Sequence, residues 1–344
     1  MLKAIKLNFK TPVHFGRGRE ELDKSDLIYH SDSLKSALYA CGLPVYDAWK
    51  NEKNFFNAFR ISSCFPYADH TFFLPKPRLN KTIEFVGINN DAASKKEKKI
   101  EYLEKQLFEE FLSASNSISL NPENITPDGI FACADVARFT KEVEGKKVKY
   151  SFFKTEPHQR VSIPGADEKE TDSKPYIIDR LYFEENCGLY FLAEFGNETI
   201  QNQVLHVLRI LGENGIGTDR TVGNGLFEFN PDKDIYDFEF NIKGVHNTFL
   251  TLGLYLPSEN EHQLLDFDKS LWGLIKRGGF MAGSQHNELA HLRRKSIYMF
   301  TEASVLKFND TISVKGKYEN LAPAWNSDTM HPVWRDGQCL YLEI

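Results

Sequence analysis

Residues 215 to 229 read GIGTDRTVGNGLFEF, with Gly215, Gly217, Gly223 and Gly225 bracketing Asp219 and Arg220. Glycine in ordered structure marks a positive φ or a backbone that something approaches closely. Two readings stay open: an ordinary long turn, or a surface of bare amides facing phosphates, with the small Thr218 and Thr221 beside Arg220. Arg220 suits a phosphate contact, because a rigid guanidinium fork pairs with two phosphate oxygens. A salt bridge to Asp219 within the loop is the alternative. The stretch leaves a helical pattern and enters a strand, whereas a dinucleotide-binding loop follows a strand and opens a helix. With no Gly-Lys-Ser or Gly-Lys-Thr here, both nucleotide-loop readings are set aside.

Other candidates are spread along the chain. Ser31, Ser33, Lys35 and Ser36 lie on or near an expected helix start, where free amides and hydroxyls suit an anion. Asp32 would repel phosphate and is expected to cap the helix. His14, ahead of Gly16 and Arg17, suits stacking on a base, a hydrogen bond to one, or plain packing. Lys76 and Arg78 in PKPR are held by stiff prolines, as an ordered contact or a surface loop. Arg160 and Arg180 flank an expected hairpin. Arg293, Arg294 and Lys295 form a compact basic cluster before a strand, with a solvated strand end as the alternative. A metal-independent endoribonuclease would need a general base and acid near a 2′-hydroxyl, and His14, Tyr29 and His30 are the available set.

The 344 residues suffice for two packed domains. A formal net charge of −6 and a pI near 6.0 disfavour a generalised nucleic-acid coat and leave room for a local basic groove. Five cysteines, odd in number and scattered without a C-x-x-C pair, argue against a disulfide framework and a zinc site. They read as buried small apolar residues in a reducing compartment. The segment MLKAIKLNFKTPV lacks the apolar core of a signal peptide. No window approaches the roughly 18 apolar residues of a membrane span. A cytoplasmic protein without membrane contact, cofactor or metal is the expectation.

The elements that must position these residues follow from periodicity. Ala4 to Phe9 alternates as a half-buried strand, with Lys3 and Lys6 near its open face. Leu34, Ala37, Leu38 and Cys41 give a helix ended by Gly42; a second short helix is expected between Tyr46 and Phe59. Pro66, Pro75 and Pro77 confine the next strands to edges or short hairpins. Ile100, Leu103, Leu107 and Phe111 form the apolar stripe of a charged surface helix over Ser94 to Leu112. The runs around Arg160 and Arg180 predict a projecting hairpin whose polar tip, Pro164 to Pro175, offers nothing to bury. Gly188 to Phe195 is a buried strand, and Thr199 to Leu211 a helix stopped at Gly212. Strand, helix, strands with an insertion, strand, helix, strand is the ferredoxin-like βαββαβ order. Beyond about residue 241 the theme repeats weakly, with TFLTLGLYLP a strand, LLDFDKSLWGLIKRGG a helix, and KSIYMFTEASVLKF and QCLYLEI strands.

The helix, the glycine stretch and the strand after it resemble the glycine-rich loop of the RAMP superfamily of CRISPR proteins. TPVHFG with YHSDSLKSAL, SSCFPY with FLPKP, and the closing HPVWRDGQCLYLEI resemble one subgroup, subunit four of the Csm (type III-A) effector. The likeness runs the length of the chain. It implies an α+β protein of two ferredoxin-like (RRM-like) domains. The first spans residues 1–240, with a large insertion and thumb hairpin at about 76–186 and the glycine-rich loop at 213–225; the second spans 241–344. It further implies a non-catalytic subunit of an antiviral ribonucleoprotein that grips the repeat-derived 5′ handle of the CRISPR RNA. Its other partners would be the large signalling (palm-domain) subunit and the adjacent backbone RAMP subunit, with target RNA met only indirectly. Some related RAMP proteins process precursor RNA, which keeps the endoribonuclease alternative open.

Overall fold

The computed structural model describes residues 1–16, 22–87, 90–136, 139–162, 174–244, 247–280, 292–323 and 331–344. It is a mixed α+β protein. The expected strand is β1, Lys3–Phe9, and it is buried from Ala4 through Leu7 rather than half-buried. Both faces are covered, so alternation misleads here. The Lys6 ammonium donates to the Asp69 carbonyl at 2.5 Å and lies over the Tyr67 and Tyr236 rings, 4.5 and 4.7 Å from their centroids.

Helix α1, Ser31–Gly42, runs through Gly42 instead of stopping before it. A Cβ at Gly42 would stand 2.0 Å from the Trp49 ring, so packing explains this glycine. The second short helix is a 3-10 turn, Asp47–Lys50, followed by α2, Lys53–Phe56. Strands β2 (Phe59–Ile61), β3 (Phe65–Ala68) and β4 (Thr71–Pro75) follow. β3 and β4 form a hairpin, but β3 also pairs with a strand on its other side, so Pro66 is not at an edge. The sheet tolerates it because β4 pairs only with Tyr67 and Ala68.

The insertion begins with β5 (Thr82–Phe85), which pairs in parallel with β7 (Ser117–Leu120). The expected single helix from Ser94 to Leu112 is instead α3 (Asn90–Glu97), β6 (Tyr102–Glu104) and α4 (Lys105–Ser113). Leu103 is fully buried and sits in the sheet beside β4, so ladder pairing overrides a stripe that matched helical spacing. β8 (Phe131–Ala132) runs parallel to β6, and β9 (Thr140–Val143) pairs with β10 (Lys146–Lys149). Then β11 (Phe153–Ser162) and β12 (Lys174–Phe183) form the expected hairpin, paired through ten positions. Most of its tip lies outside the described residues.

β13 (Cys187–Phe195), α5 (Glu198–Asn214), β14 (Phe227–Glu228) and β15 (Ile235–Asp237) complete this half. The sheet order is β14-β1-β13-β3-β4-β6-β8, with β15 added to β1 and β2 to β13. Ile5, Leu7, Leu189, Phe191 and Ala193 pack toward α1 and α5, meeting Leu34, Leu38, Val204, Leu208 and Leu211. The alternate residues Ala4, Tyr190 and Leu192 share a second core with Leu103, Phe108 and Phe131 of the insertion and Leu250 and Leu252 of the C-terminal half.

The C-terminal half comprises β16 (Thr248–Thr251), α6 (Glu259–Leu264), β17 (Leu265–Leu271), β18 (Leu274–Arg277), β19 (Ile297–Phe300), β20 (Val305–Phe308), β21 (Tyr318–Asn320), β22 (Trp334–Asp336) and β23 (Tyr341–Glu343). Four strands order as β17-β20-β16-β23. The helix expected from Leu264 onward is mostly strand, because Leu265 and Leu271 pair with β20 and Leu274 to Arg277 with β19. Four of the five cysteines are buried, Cys41 is half-buried, and none forms a disulfide.

Candidate nucleic-acid interface

The glycine loop follows from how α5 ends. Asn197 caps the helix start by accepting from the Ile200 amide at 2.9 Å, and the helix passes Gly212 to finish at Gly215, where φ is +73°. Gly212 is needed because a Cβ there would meet the Phe227 carbonyl oxygen at 2.4 Å. Gly215, Gly217 and Gly225 are each approached by the protein's own backbone. A Cβ would lie 2.7 Å from the Asn224 oxygen, 2.7 Å from the His14 oxygen and 1.9 Å from the Ile216 oxygen respectively. Gly223 alone of the four faces open space.

Amides in this loop are largely spent. Ile216 donates to Gly225, Thr218 to His14, Gly225 to Pro12, Val222 to Asp219 and Gly223 to Arg220. The expected row of bare amides is therefore corrected: backbone closure consumes the donors. What faces solvent is the crest, with Thr218, Arg220, Thr221 and Gly223 exposed. Asp219, in the left-handed region at φ 61°, accepts from Arg160 Nη1 at 2.8 Å. The loop's carboxylate is thus neutralised by the hairpin strand β11, and Arg220 has no ion pair among the described residues.

His14 is fully buried and its Nδ1 lies 2.7 Å from the Asp179 carbonyl, so Nδ1 donates and Nε2 is left as a buried atom without a partner. It packs, which removes it from the exposed RNA-facing set. Gly16 is exposed and bridges to Ser25; Arg17 lies outside the described residues. Arg180 is half-buried, with its Nε unpartnered. Lys76 is half-buried against Glu97 at 3.4 Å.

The start of α1 is a joint between the two halves rather than an open anion site. Lys35 has no solvent exposure; its ammonium reaches Asp336 at 2.9 Å and donates to the Phe56 and Phe59 carbonyls. That contradicts the expectation that Lys35 touches RNA. Ser31 is buried, accepting from the Leu254 amide and donating its own amide to Ser63 Oγ. Ser36 donates to the carbonyls of Asp32 and Trp334. Asp32 does not cap the helix: His30 holds the cap position without a side-chain bond. Instead Asp32 receives Arg277 through two nitrogens, each at 2.9 Å, and Arg335 at 3.6 Å. Arg277 also donates to Ser33 Oγ at 2.7 Å.

Charge at this joint is uneven. Burial pushes the Asp32 carboxyl up, but Arg277 and then Arg335 hold it well below the usual carboxylate range. Arg294 is brought down to about 9 by burial and next by Arg335, while its Nε donates to the Gly278 carbonyl at 2.6 Å. Burial also lowers Arg335, whose Nε has no partner. Lys295 is exposed. Beside the joint, His30 Nδ1 meets Glu302 at 2.8 Å, and Glu302 accepts from Ser63. His30 opens onto a groove of about 1210 Å³ between the halves, lined also by Lys76, Arg78, Trp272, Lys276 and Arg277. The sequence reading missed Arg277 and Arg335. Arg335 stands in HPVWRDG, a stretch already singled out, whereas LIKRGG carried no signal for Arg277.

The RAMP superfamily pattern matches residues 6–228, more than half of the chain, and that of the CRISPR Csm4 C-terminal domain matches residues 245–344. The chain belongs to the RAMP superfamily, in its Csm4 family. Among curated Csm4 proteins, that of Thermococcus onnurineus (strain NA1) is 26% identical over 246 residues, covering 69% of each chain. That of Methanocaldococcus jannaschii is 23% identical over 350 residues, covering 94% of this chain and 89% of its own. In fold the chain is similar to a chain in a crystal structure of a Csm3-Csm4 subcomplex, with TM-score 0.65, 20% identity and coverage of 100% and 99%. It is also similar to a Csm1-Csm4 cassette in complex with cA4, with TM-score 0.56, 19% identity and coverage of 100% and 97%. Within this Csm4 family member's described residues, no three His, Cys, Asp or Glu side chains are grouped to hold a metal, and no helix is long and apolar enough to cross a membrane.

Proposed function

We propose that this chain is a non-catalytic subunit of a type III-A CRISPR ribonucleoprotein effector, that it grips the repeat-derived 5′ handle of the CRISPR RNA, and that it bridges the large signalling subunit to the first backbone subunit. The observation that carries the RNA reading is the state of Arg220: exposed on the loop crest, beside an aspartate whose charge Arg160 already answers. A guanidinium fork on a fixed turn, with no ion pair among the described residues, is suited to donate to a phosphate. The strand order β14-β1-β13-β3 is last, first, third, second, which supports a ferredoxin-like core for the N-terminal half. Solved relatives pair Csm4 with Csm3 and with Csm1, which supports the bridging role.

The endoribonuclease alternative draws on His14, Tyr29 and His30. His14 is buried and burial pushes the Tyr29 hydroxyl up to about 12, so neither stands ready at a solvent-facing 2′-hydroxyl; His30, its Nδ1 held by Glu302 at the groove, is the one member left to test. A crosslinking map of the guide in the assembled particle tests the reading. Contacts between the handle and residues 218–223 are expected; a loop remote from every nucleotide overturns it. Metal-free incubation of the protein with labelled repeat RNA tests the other side, and cleavage lost in His30→Ala would overturn the non-catalytic assignment.

A further inference from the structure

Among the described residues, the joint at α1 holds more positive charge than it uses. Lys35 is matched by Asp336 and His30 by Glu302, but among the described residues Arg277 and Arg335 are left to the single carboxylate of Asp32, and Arg294 has no ion pair. Arg277 takes both Asp32 oxygens. Arg335 is left with one nitrogen on the Asp32 carbonyl and on Ser36 Oγ, both at 3.3 Å, and with a buried Nε that meets nothing. Arg294 places two nitrogens on one neutral carbonyl, that of Gly278. Buried cations without counter-charge are costly, and a guanidinium pair is the fork that phosphate oxygens match. Ser33 and Ser36 line the same turn with hydroxyls. The Phe15 ring lies 5.0 Å from that of Tyr29, just ahead of α1, and stands 3.2 Å from where a Cβ on Gly217 would be, so the start of α1 and the glycine loop flank one aromatic pair.

We propose that Arg294 and Arg335, backed by Arg277, form a second phosphodiester site that receives another backbone phosphate of the strand held at Arg220. The inference rests on the RNA reading above and deepens it: the strand crosses from the N-terminal half onto the C-terminal half, and its phosphate supplies the anion that the joint lacks among the described residues. Retention of RNA then depends on both halves at once.

The test is a scan of the handle in the assembled particle with single methylphosphonates, each removing one backbone charge. Two positions of weakened retention are expected, roughly tenfold each. One loses its effect in Arg220→Ala, and a different one in Arg294→Gln, which also lowers the salt slope of binding by about 0.7 for one lost contact on a single strand. Arg294→Lys, keeping charge without the fork, should recover part of the loss. An Arg220-coupled position with none coupled to Arg294 overturns this site and leaves the first reading standing; no coupled position anywhere overturns both. If Arg294→Gln fails to enter the particle, crosslinks from the wild-type strand to residues 292–296 and 334–336 are the readout. Their absence, or a partner subunit's carboxylate crosslinked there instead, overturns the proposal.

Discussion

Asp32 and Arg277 meet as a two-pronged ion pair across the junction of the halves, 2.9 Å on each prong, with the carboxylate wholly out of solvent. The pair shows that the start of α1 is shaped by its far partners rather than by its own cap. Removing the carboxylate leaves Arg277 and Arg335 buried beside each other. Asp32→Ala is therefore expected to cost about 3–5 kcal/mol, measured by urea unfolding. Because the folded carboxyl lies below its ordinary 3.8, this stabilisation is present above that value and lost as pH falls beneath it. A variant as stable as the wild type at pH 7 would contradict the assignment.

His30, paired with Glu302, titrates in the opposite sense. Burial disfavours the imidazolium, but the Glu302 carboxylate outweighs it, Asp32 assists and Arg277 opposes, and the net direction is upward from 6.5. The contribution should be complete below about 6.5 and fade as pH rises through the higher folded value. Comparing unfolding of wild type and His30→Gln at acid and mildly alkaline pH checks this. The gap between the two proteins should narrow with rising pH; a gap that widens would reverse the sign.

The four glycines should not respond alike to alanine. Gly223→Ala meets open space and pays only for its left-handed φ, roughly 1–2 kcal/mol. Gly225→Ala adds a methyl 1.9 Å from a backbone oxygen and should be far worse, because backbone cannot step aside. Thermal melts of the two variants give the order, and equal losses would contradict the packing described for this loop.

The pair Arg160–Asp219 joins the hairpin to the glycine loop at 2.8 Å, with both side chains partly in solvent. Arg160→Ala should lower global stability by no more than about 1 kcal/mol. Amide exchange in residues 218–223 should accelerate, since the loop loses its tether. Unchanged exchange would mean the turn is held by its backbone bonds alone.

Much of this was legible from local pattern. β1, α1, β13, α5 and the β11–β12 hairpin follow from periodicity, and a helix running into a glycine turn and a strand placed Arg220 on a crest. What periodicity could not supply was the identity of distant partners. Lys35 and Ser31 carry the same local signature whether a helix start faces an anion or another half of the molecule, and the deciding residues, Asp336 and Leu254, lie hundreds of positions away. Leu103 was misread for a related reason: sheet pairing with β4 imposed extended backbone on it, while Leu107 and Phe111 kept the expected helix in α4.

Arg335 reaches back 303 positions to the Asp32 carbonyl. At about 5–20 residues per second of translation, a ribosome needs roughly 15 to 60 seconds to make the intervening polypeptide. Throughout that interval Lys35 waits without Asp336, and Asp32 without Arg335 although Arg277 arrives earlier, so the nascent N-terminal half stays incompletely closed along that seam. Such a seam is a natural place for a chaperone to hold the growing protein, and it makes the strands of the C-terminal half the ones that shut the molecule.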